Sequence, residues 1–359
     1  AWEQAQLPLR LGGFGIRPLH TYAAPAAFAS AFTSAAAAAN FYTGPDLPAD
    51  PLIASSQAAI TAALPTLADT VGAIQRGEVA TDGKVQRLLS RAFDEHIADV
   101  LLEGARMENT TTAARLQSVR GDYASAWLGV HDTAAAPWLS NAEFRTACRL
   151  RLGLPVCPAA SVCGLCGAAV DVEGHHMLAC RKGKHAVHNA LRNSLHSLCA
   201  QALLPATREG MPFAAQGGDV ARQRMDIIVS AGPDDRPMLL DVAVTSPFVR
   251  PSIAARFPGA AASAYEAVKW ATYGPSVQPL VHNFVPMVVD SMGAWGKSAL
   301  PTLKFLAAAF ASRRAEAHGE IWRGRSIFFA TLSLSLQRRL AHIICRSVPA
   351  QAEEFGDGE

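Results

Sequence analysis

The sequence predicts an α+β fold on three observations. Helical periodicity runs through much of the first half, a Cys- and His-rich stretch at 156–182 has no periodicity, and short apolar runs of strand type follow Pro205. The expected order is a helical N-terminal half, a zinc knuckle, and a mixed sheet flanked by helices.

The elements follow in chain order. Residues 1–20 contain LPLRLGGFGIRPL, whose glycines interrupt the apolar pattern and make a turn-rich segment. Residues 22–45 are Ala-rich and read as helix and loop, and 47–51 is a Pro/Asp linker. The uncharged stretch 21–45 is too weakly apolar for a membrane span, so no membrane partner is expected. Val85, Leu88, Leu89, Ala92, Phe93, Ile97, Val100 and Leu101 recur at helical spacing. A second helix starts at Ser140 or Asn141, both N-cap types, and ends at Gly153 and Pro155. After the Cys/His stretch, Val187, Leu191, Leu195, Leu198 and Ala202 form one helical stripe. Strands are expected at 225–230 and 238–245, joined by a turn at 232–235, then a helix at 260–273, a strand at 284–289 and helix over 298–348.

Composition limits the classes. The chain has 359 residues, enough for two or three domains, with half of them hydrophobic and 17% charged, which is globular rather than disordered. The net charge is +2, and about +6 without the acidic tail residues Glu353, Glu354, Asp357 and Glu359. This permits a nucleic-acid partner without demanding one. The chain does not begin with Met, and its abrupt start suggests a fragment of something longer.

Of seven cysteines, Cys163, Cys166 and Cys180 fall beside His175 and His176, with Cys157 just before. An odd, clustered set argues for metal in a reducing compartment rather than a disulfide framework. Cys163 and Cys166, two residues apart, turn two thiolates toward one ion. A His and Cys180 about ten residues on complete a tetrahedral zinc site. His175, His176 and, on the next helix, His188 are all candidates for the fourth ligand. Such a short loop buries almost no core, so zinc is expected to supply its folding free energy. Cys157 reads as a bystander, and Cys148, Cys199 and Cys345 as core thiols. Arg181, Lys182 and Lys184 follow the last cysteine and could contact phosphates.

Asp226 and Asp241 each sit in an otherwise apolar strand of one expected hairpin. Burying a lone carboxylate is costly, and two that converge repel unless a cation lies between them. Oxygen-only ligands favour Mg²⁺. Tyr265, Lys269 and Tyr273 share one face of the following helix, and a lysine there could stabilise charge on an attacked phosphate. By periodicity alone, the same residues read rather as a strand-end Asp in a turn, an exposed Lys and two packed Tyr.

These segments resemble, in order, the C-terminal part of non-LTR retrotransposon reverse transcriptases. LPLRLGGFGIRPL is similar to the end of their polymerase module near the thumb, and NAEFRTACRLRLGLP to the segment before their knuckle. CGLCG, GHHMLAC and HNALRNSL resemble their Cys-Cys-His-Cys knuckle and its helix. RMDIIV, LLDVAVTSP, YEAVKWATY and FVPMVVDSMGAWG resemble their restriction-like endonuclease. The resemblance covers about 1–20 and 140–296.

It implies a thumb remnant at 1–22, a helical region at 23–155, the knuckle and its helix at 156–205, and a PD-(D/E)xK endonuclease at 206–359. It selects His176 as the zinc ligand. It gives Asp226 and Asp241 to Mg²⁺ and catalysis, with Met225 in place of the usual Pro. The Lys expected two residues after Asp241 is replaced by Ala243, and Lys269 and Tyr273 take its place from the following helix. Glu209, ahead of the first expected strand, reads as either an accessory acid or a surface residue. The implied activity is DNA nicking that primes reverse transcription in the nucleus, with target DNA, element RNA and the missing N-terminal polymerase part as partners. No Tyr-x-Asp-Asp pair is present, so this chain alone is not expected to polymerise DNA. The alternative is a catalytically inactive nucleic-acid-binding remnant.

Overall fold

The computed structural model describes residues 1–39, 50–78, 84–129, 139–213, 216, 219, 222–318 and 321–347. They form two compact units, Trp2–Gly104 and Ala105–Glu359. The architecture is α+β. Most of the linker read at 47–51 and the acidic tail lie outside the described residues.

The first unit is helical: α1 Trp2–Gln6, α2 Leu19–Ala39, α3 Pro51–Ala63, α4 Ala68–Gln75 and α5 Val85–Glu108, whose last turn enters the second unit. Asp50 caps α3, its Oδ1 accepting from the Leu52 N–H at 2.8 Å. Phe28, Ile60, Val71, Ile74 and Leu89 form a fully buried core. Sequence periodicity placed α5 correctly because its apolar residues recur on one face.

The second unit contains α6 Thr110–Val119, α7 Asn141–Leu152, β1 Ser161–Val162, β2 Ala169–Val170, α8 His175–Ala179, α9 Arg181–Gln201, β3 Ala206–Gly210, β4 Met225–Val229, β5 Met238–Thr245, α10 Pro251–Ala254, α11 Ala260–Tyr273, β6 Asn283–Asp290, α12 Ala299–His318 and α13 Ile321–Ser347. Ser140 and Glu143 close a reciprocal capping box at the start of α7. The main sheet has strand order β3-β4-β5-β6, antiparallel except for the β5–β6 pair. A parallel pair needs a crossover, and α10 and α11 supply it.

β5 is buried on both faces. Leu240, Val242 and Val244 join the large core shared with α9, α12 and α13. On the opposite face Ala243 packs with Ala262 of α11 and Val288 of β6. Ala243 therefore stands where α11 comes closest to the sheet, and a lysine there would have to displace the helix. β3 is a strand the sequence reading did not separate, and Glu209 lies within it with φ of 55°. No helix among the described residues is long and apolar enough to cross a membrane.

Candidate functional site

The first site is the Cys/His cluster. A tight turn, with the Gly167 N–H donating to Cys163 O and the Cys163 N–H to Ala168 O, brings Cys163 and Cys166 together. Gly174, at φ 73°, then starts α8 in a backbone conformation that disfavours a side chain. The ligand atoms of Cys163, Cys166, His176 and Cys180 all lie within 4.8 Å of one another. Cys163 Sγ to Cys180 Sγ is 3.9 Å, and Cys166 Sγ to His176 Nε2 is 3.2 Å. Tetrahedral zinc with bonds of about 2.0–2.3 Å requires ligand separations of roughly 3.5–3.8 Å. The four residues can hold a metal, and the set is compatible with zinc. Burial opposes ionisation of Cys163. The Leu165 and Cys166 N–H groups and His176 outweigh it, holding the thiol down at about 7.

The two neighbouring histidines have separate roles. His175 Nδ1 lies 2.8 Å from Asp171 Oδ2, the same carboxylate accepts the His175 N–H, and the ring packs on Phe248. His175 is therefore turned away from the thiols. His188 is not at the cluster either; it lies beside Asp226. Cys157 is buried and outside the ligand set, and Cys199 is a core thiol, pushed up to about 12 by burial.

One expectation about the knuckle is corrected. Cys163, Val170, Met177, Leu178 and Cys180 are each no more than 3% exposed and belong to the same core as the sheet and α13. The cluster is anchored by packing on both sides, so a metal is not the sole source of its folding free energy.

The second site lies where β4 leaves β5. Their register runs from Val229↔Met238 to Ile227↔Leu240, and one step further sets Asp226 against Asp241. There the Asp226 carboxylate takes over the pairing, Oδ2 accepting from the Val242 N–H at 2.8 Å. His188 spans the same point. Its Nδ1–H donates to Val242 O at 3.0 Å, and its Nε2 is 3.3 Å from Asp226 Oδ1. Both ring nitrogens face acceptors. The Asp226 contact raises the His188 pKa, against the effect of burial.

Asp241 is 4% exposed, and its Oδ2 is 2.8 Å from Lys269 Nζ. Burial raises the Asp241 pKa; Lys269 opposes this and Asp226 adds to it. Burial alone would lower the Lys269 pKa, but Asp241 outweighs it and the net direction is up. The ammonium lies 5.7 Å from the ring centres of both Tyr265 and Tyr273. Burial, then Asp241, raises the Tyr273 phenol.

Asp226, Asp241, Lys269 and Tyr273 are thus gathered, with His188 added. The two carboxylates do act against each other, since Asp226 adds to the rise of the Asp241 pKa, but Lys269 faces Asp241 and the His188 ring faces Asp226, so protein groups offset part of the repulsion. Among the described residues, Asp226 and Asp241 do not belong to any group of three metal-ligand side chains. The contacts do not support a magnesium ion there. Glu209 pairs with Arg192 on the surface and is not at the site. Arg181 and Lys182 are exposed on the first turn of α9, and Lys184 is half-buried, its pKa lowered by burial.

Two further buried acids were not foreseen, and both are structural. Glu266 accepts from the Ser298 and Ala299 N–H groups at the start of α12. Asp290 is fully buried, accepts from the Met292 and Ala294 N–H groups, and is pushed up to about 6 by burial.

No family model matches the sequence, and no curated protein matches it.

Proposed function

We propose that this chain is a DNA endonuclease module that hydrolyses a phosphodiester at Asp226, Asp241 and Lys269 with a divalent cation. We further propose that it derives from a non-LTR retrotransposon protein with a restriction-like fold. The observation that carries the activity is Asp241, 4% exposed, with its carboxylate 2.8 Å from the Lys269 ammonium, beside Asp226, whose own carboxylate accepts from the N–H of Val242, the residue after Asp241. Buried charges of this kind cost stability and recur where chemistry needs them. The mixed sheet flanked by helices and the ordered motif series support the assignment.

In this reading Asp226 and Asp241 would hold Mg²⁺, an ion that accepts two carboxylates and completes its shell with water, in place of the present Lys269 and His188 contacts. The ion would supply Lewis acidity and a bound water of lowered pKa. Lys269 stabilises negative charge on the attacked phosphate. Tyr265 and Tyr273 flank the ammonium and limit its directions. His188 fixes Asp226 from α9 and acts as a positioning residue.

The test is plasmid nicking with Mg²⁺ or Mn²⁺, alongside thermal melts. Asp226→Asn and Asp241→Asn should abolish nicking, and Lys269→Ala should slow it by about 10²–10³. Full nicking by either Asp variant would place the activity elsewhere. The origin is tested separately: an in-frame polymerase palm directly upstream in the coding sequence would support it.

A second reading, a nucleic-acid-binding protein without cleavage, is favoured by one fact: both carboxylates already have protein partners, Asp241 the Lys269 ammonium and Asp226 the His188 ring. DNA binding with no nicking by the unmutated chain would select it.

A further inference from the structure

The Gly-rich motif near the N-terminus has no part in the nuclease reading, yet its geometry is specific. Gly12 lies at φ 90°, and a Cβ on Gly13 would sit 1.9 Å from Leu7 O, so the backbone closes on itself. The Phe14 N–H bonds to Ala5 O, the Gly15 N–H to Leu7 O, and the Gln4 amide to Gly12 O. This turn brings Arg10 and Arg17, seven residues apart, to one carboxylate on α5.

That carboxylate is Asp94, 1% exposed. Arg17 Nη2 is 2.5 Å from its Oδ2, Arg10 Nη2 is 3.8 Å away, and the Tyr22 hydroxyl donates to its Oδ1 at 2.6 Å. On α5, Arg87 and Arg91 precede Asp94 by seven and three residues, on the same helix face. Together Arg10, Arg17, Arg87, Arg91 and Asp94, with Gln86 and Ser90, line a cavity of about 440 Å³.

The charge count is lopsided. Four guanidiniums face Asp94 and the nearby Glu95, which pairs with Arg91 and Arg10 at an exposed position. Exposed pairs of that kind contribute little and give way to a better partner. No carboxylate is paired with Arg87 among the described residues. Asp94 differs from Glu95: it is buried, and it fixes the direction of Arg17 with Tyr22 as a second clamp. Two arginines are held by a buried acid and two more line the cavity from α5, in a space with room for more than one phosphate group.

We propose that this cavity is a phosphate-binding site for the backbone of a nucleic-acid strand. Guanidiniums suit it because they bind phosphate oxygens in bidentate fashion and always carry charge. The site lies wholly within the first unit and is independent of the nuclease reading.

The test uses the full chain. Inorganic tripolyphosphate is titrated by calorimetry, and a labelled single-stranded oligonucleotide is titrated by anisotropy over a range of salt. Arg87→Gln/Arg91→Gln is the informative variant, since both side chains are exposed and every partner of Asp94 is kept. Tripolyphosphate affinity should fall at least ten-fold, and the oligonucleotide salt slope should fall by about 1.5–2 units. Loss of tripolyphosphate binding with an unchanged oligonucleotide slope would keep the phosphate site but assign it to a free polyphosphate. No binding by the unmutated chain, or no change in either titration, would overturn the site.

Discussion

The Asp241–Lys269 pair is the sharpest test of the acidic site, because its members are buried to different extents. The Asp241 side chain is 6% exposed and that of Lys269 19%. Removing one partner of a buried pair costs about 3–5 kcal/mol, because the other charge is left uncompensated. The ammonium keeps some access to water, so Asp241→Asn should destabilise by about 2–3 kcal/mol, at or below the lower bound of that range. Lys269→Met should cost about 3 kcal/mol or more at pH 7, since Asp241 is then left buried beside the like charge of Asp226. The double variant Asp241→Asn/Lys269→Met should cost clearly less than the sum, because an amide beside a thioether strands no charge.

The pH dependence follows from the direction of the Asp241 shift. Its folded pKa lies above the ordinary value, with burial as the main cause. The folded state therefore holds the proton to higher pH than the unfolded chain does. Stability falls as pH rises from the unfolded pKa through the folded one. Lys269 limits that penalty, and without it the window extends upward. The deficit of Lys269→Met should be largest at pH 7 and shrink as pH falls, since a protonated Asp241 needs no cation. Urea unfolding of the four proteins at pH 7 and pH 5, without added magnesium, measures both effects. Single-variant costs that add within about 0.5 kcal/mol, or a deficit that does not change with pH, would refute the pair as described.

Three other outcomes are expected. Metal analysis should find one zinc per chain, lost in Cys163→Ser, Cys180→Ser and His176→Ala but kept in His175→Ala, whose ring is held by Asp171. Glu266→Ala strips the cap from α12 and should lower stability by about 1–3 kcal/mol in denaturant melts; an unchanged midpoint would deny the cap. Neutralising Arg181, Lys182 and Lys184 should reduce the salt slope of DNA binding by up to about 2–3 units, and an unchanged slope would leave them as surface charges.

What was legible in the sequence was what periodicity and short-range spacing report. The strand at 225–229, the strand at 238–245 and the helix at 260–273 appeared at or near their observed bounds, because their apolar residues are one-sided or continuous. The knuckle ligands were legible because all four lie within 18 residues. β3 was missed since Ala206–Gly210 is a polar edge strand with Glu209 at positive φ, so no apolar run marks it. The two-residue strands β1 and β2 are too short for any pattern. His188 was placed with the zinc candidates because it is near them in sequence. It sits at the margin of the α9 stripe, and its partners are 38 and 54 residues away. Ala243 appeared only as a missing lysine, because the approach of α11 that requires a small residue there is a tertiary fact.

The position of α9 changes what zinc removal should do. The helix begins directly after the ligand Cys180, and its first turn carries Arg181, Lys182 and Lys184. Cations at a helix N-terminus are unfavourable, and Cys180 makes no side-chain cap hydrogen bond there. A zinc-bound thiolate at that point would supply the missing negative charge. Further along, Leu191, Leu195 and Leu198 are at most 1% exposed and packed in the main core, so the rest of the helix does not depend on the ion. Chelation should therefore fray α9 locally. Hydrogen exchange should show amide protection lost over about 181–187, and in the loop from Cys163 to Cys180, but retained from Leu191 onward. The far-UV helical signal should fall only slightly. A chelator that unfolds the whole second unit would instead show that the metal dominates its stability and that packing of the knuckle into the core contributes little. Retained protection at 181–187 without zinc would show that the thiolate does not hold the helix start.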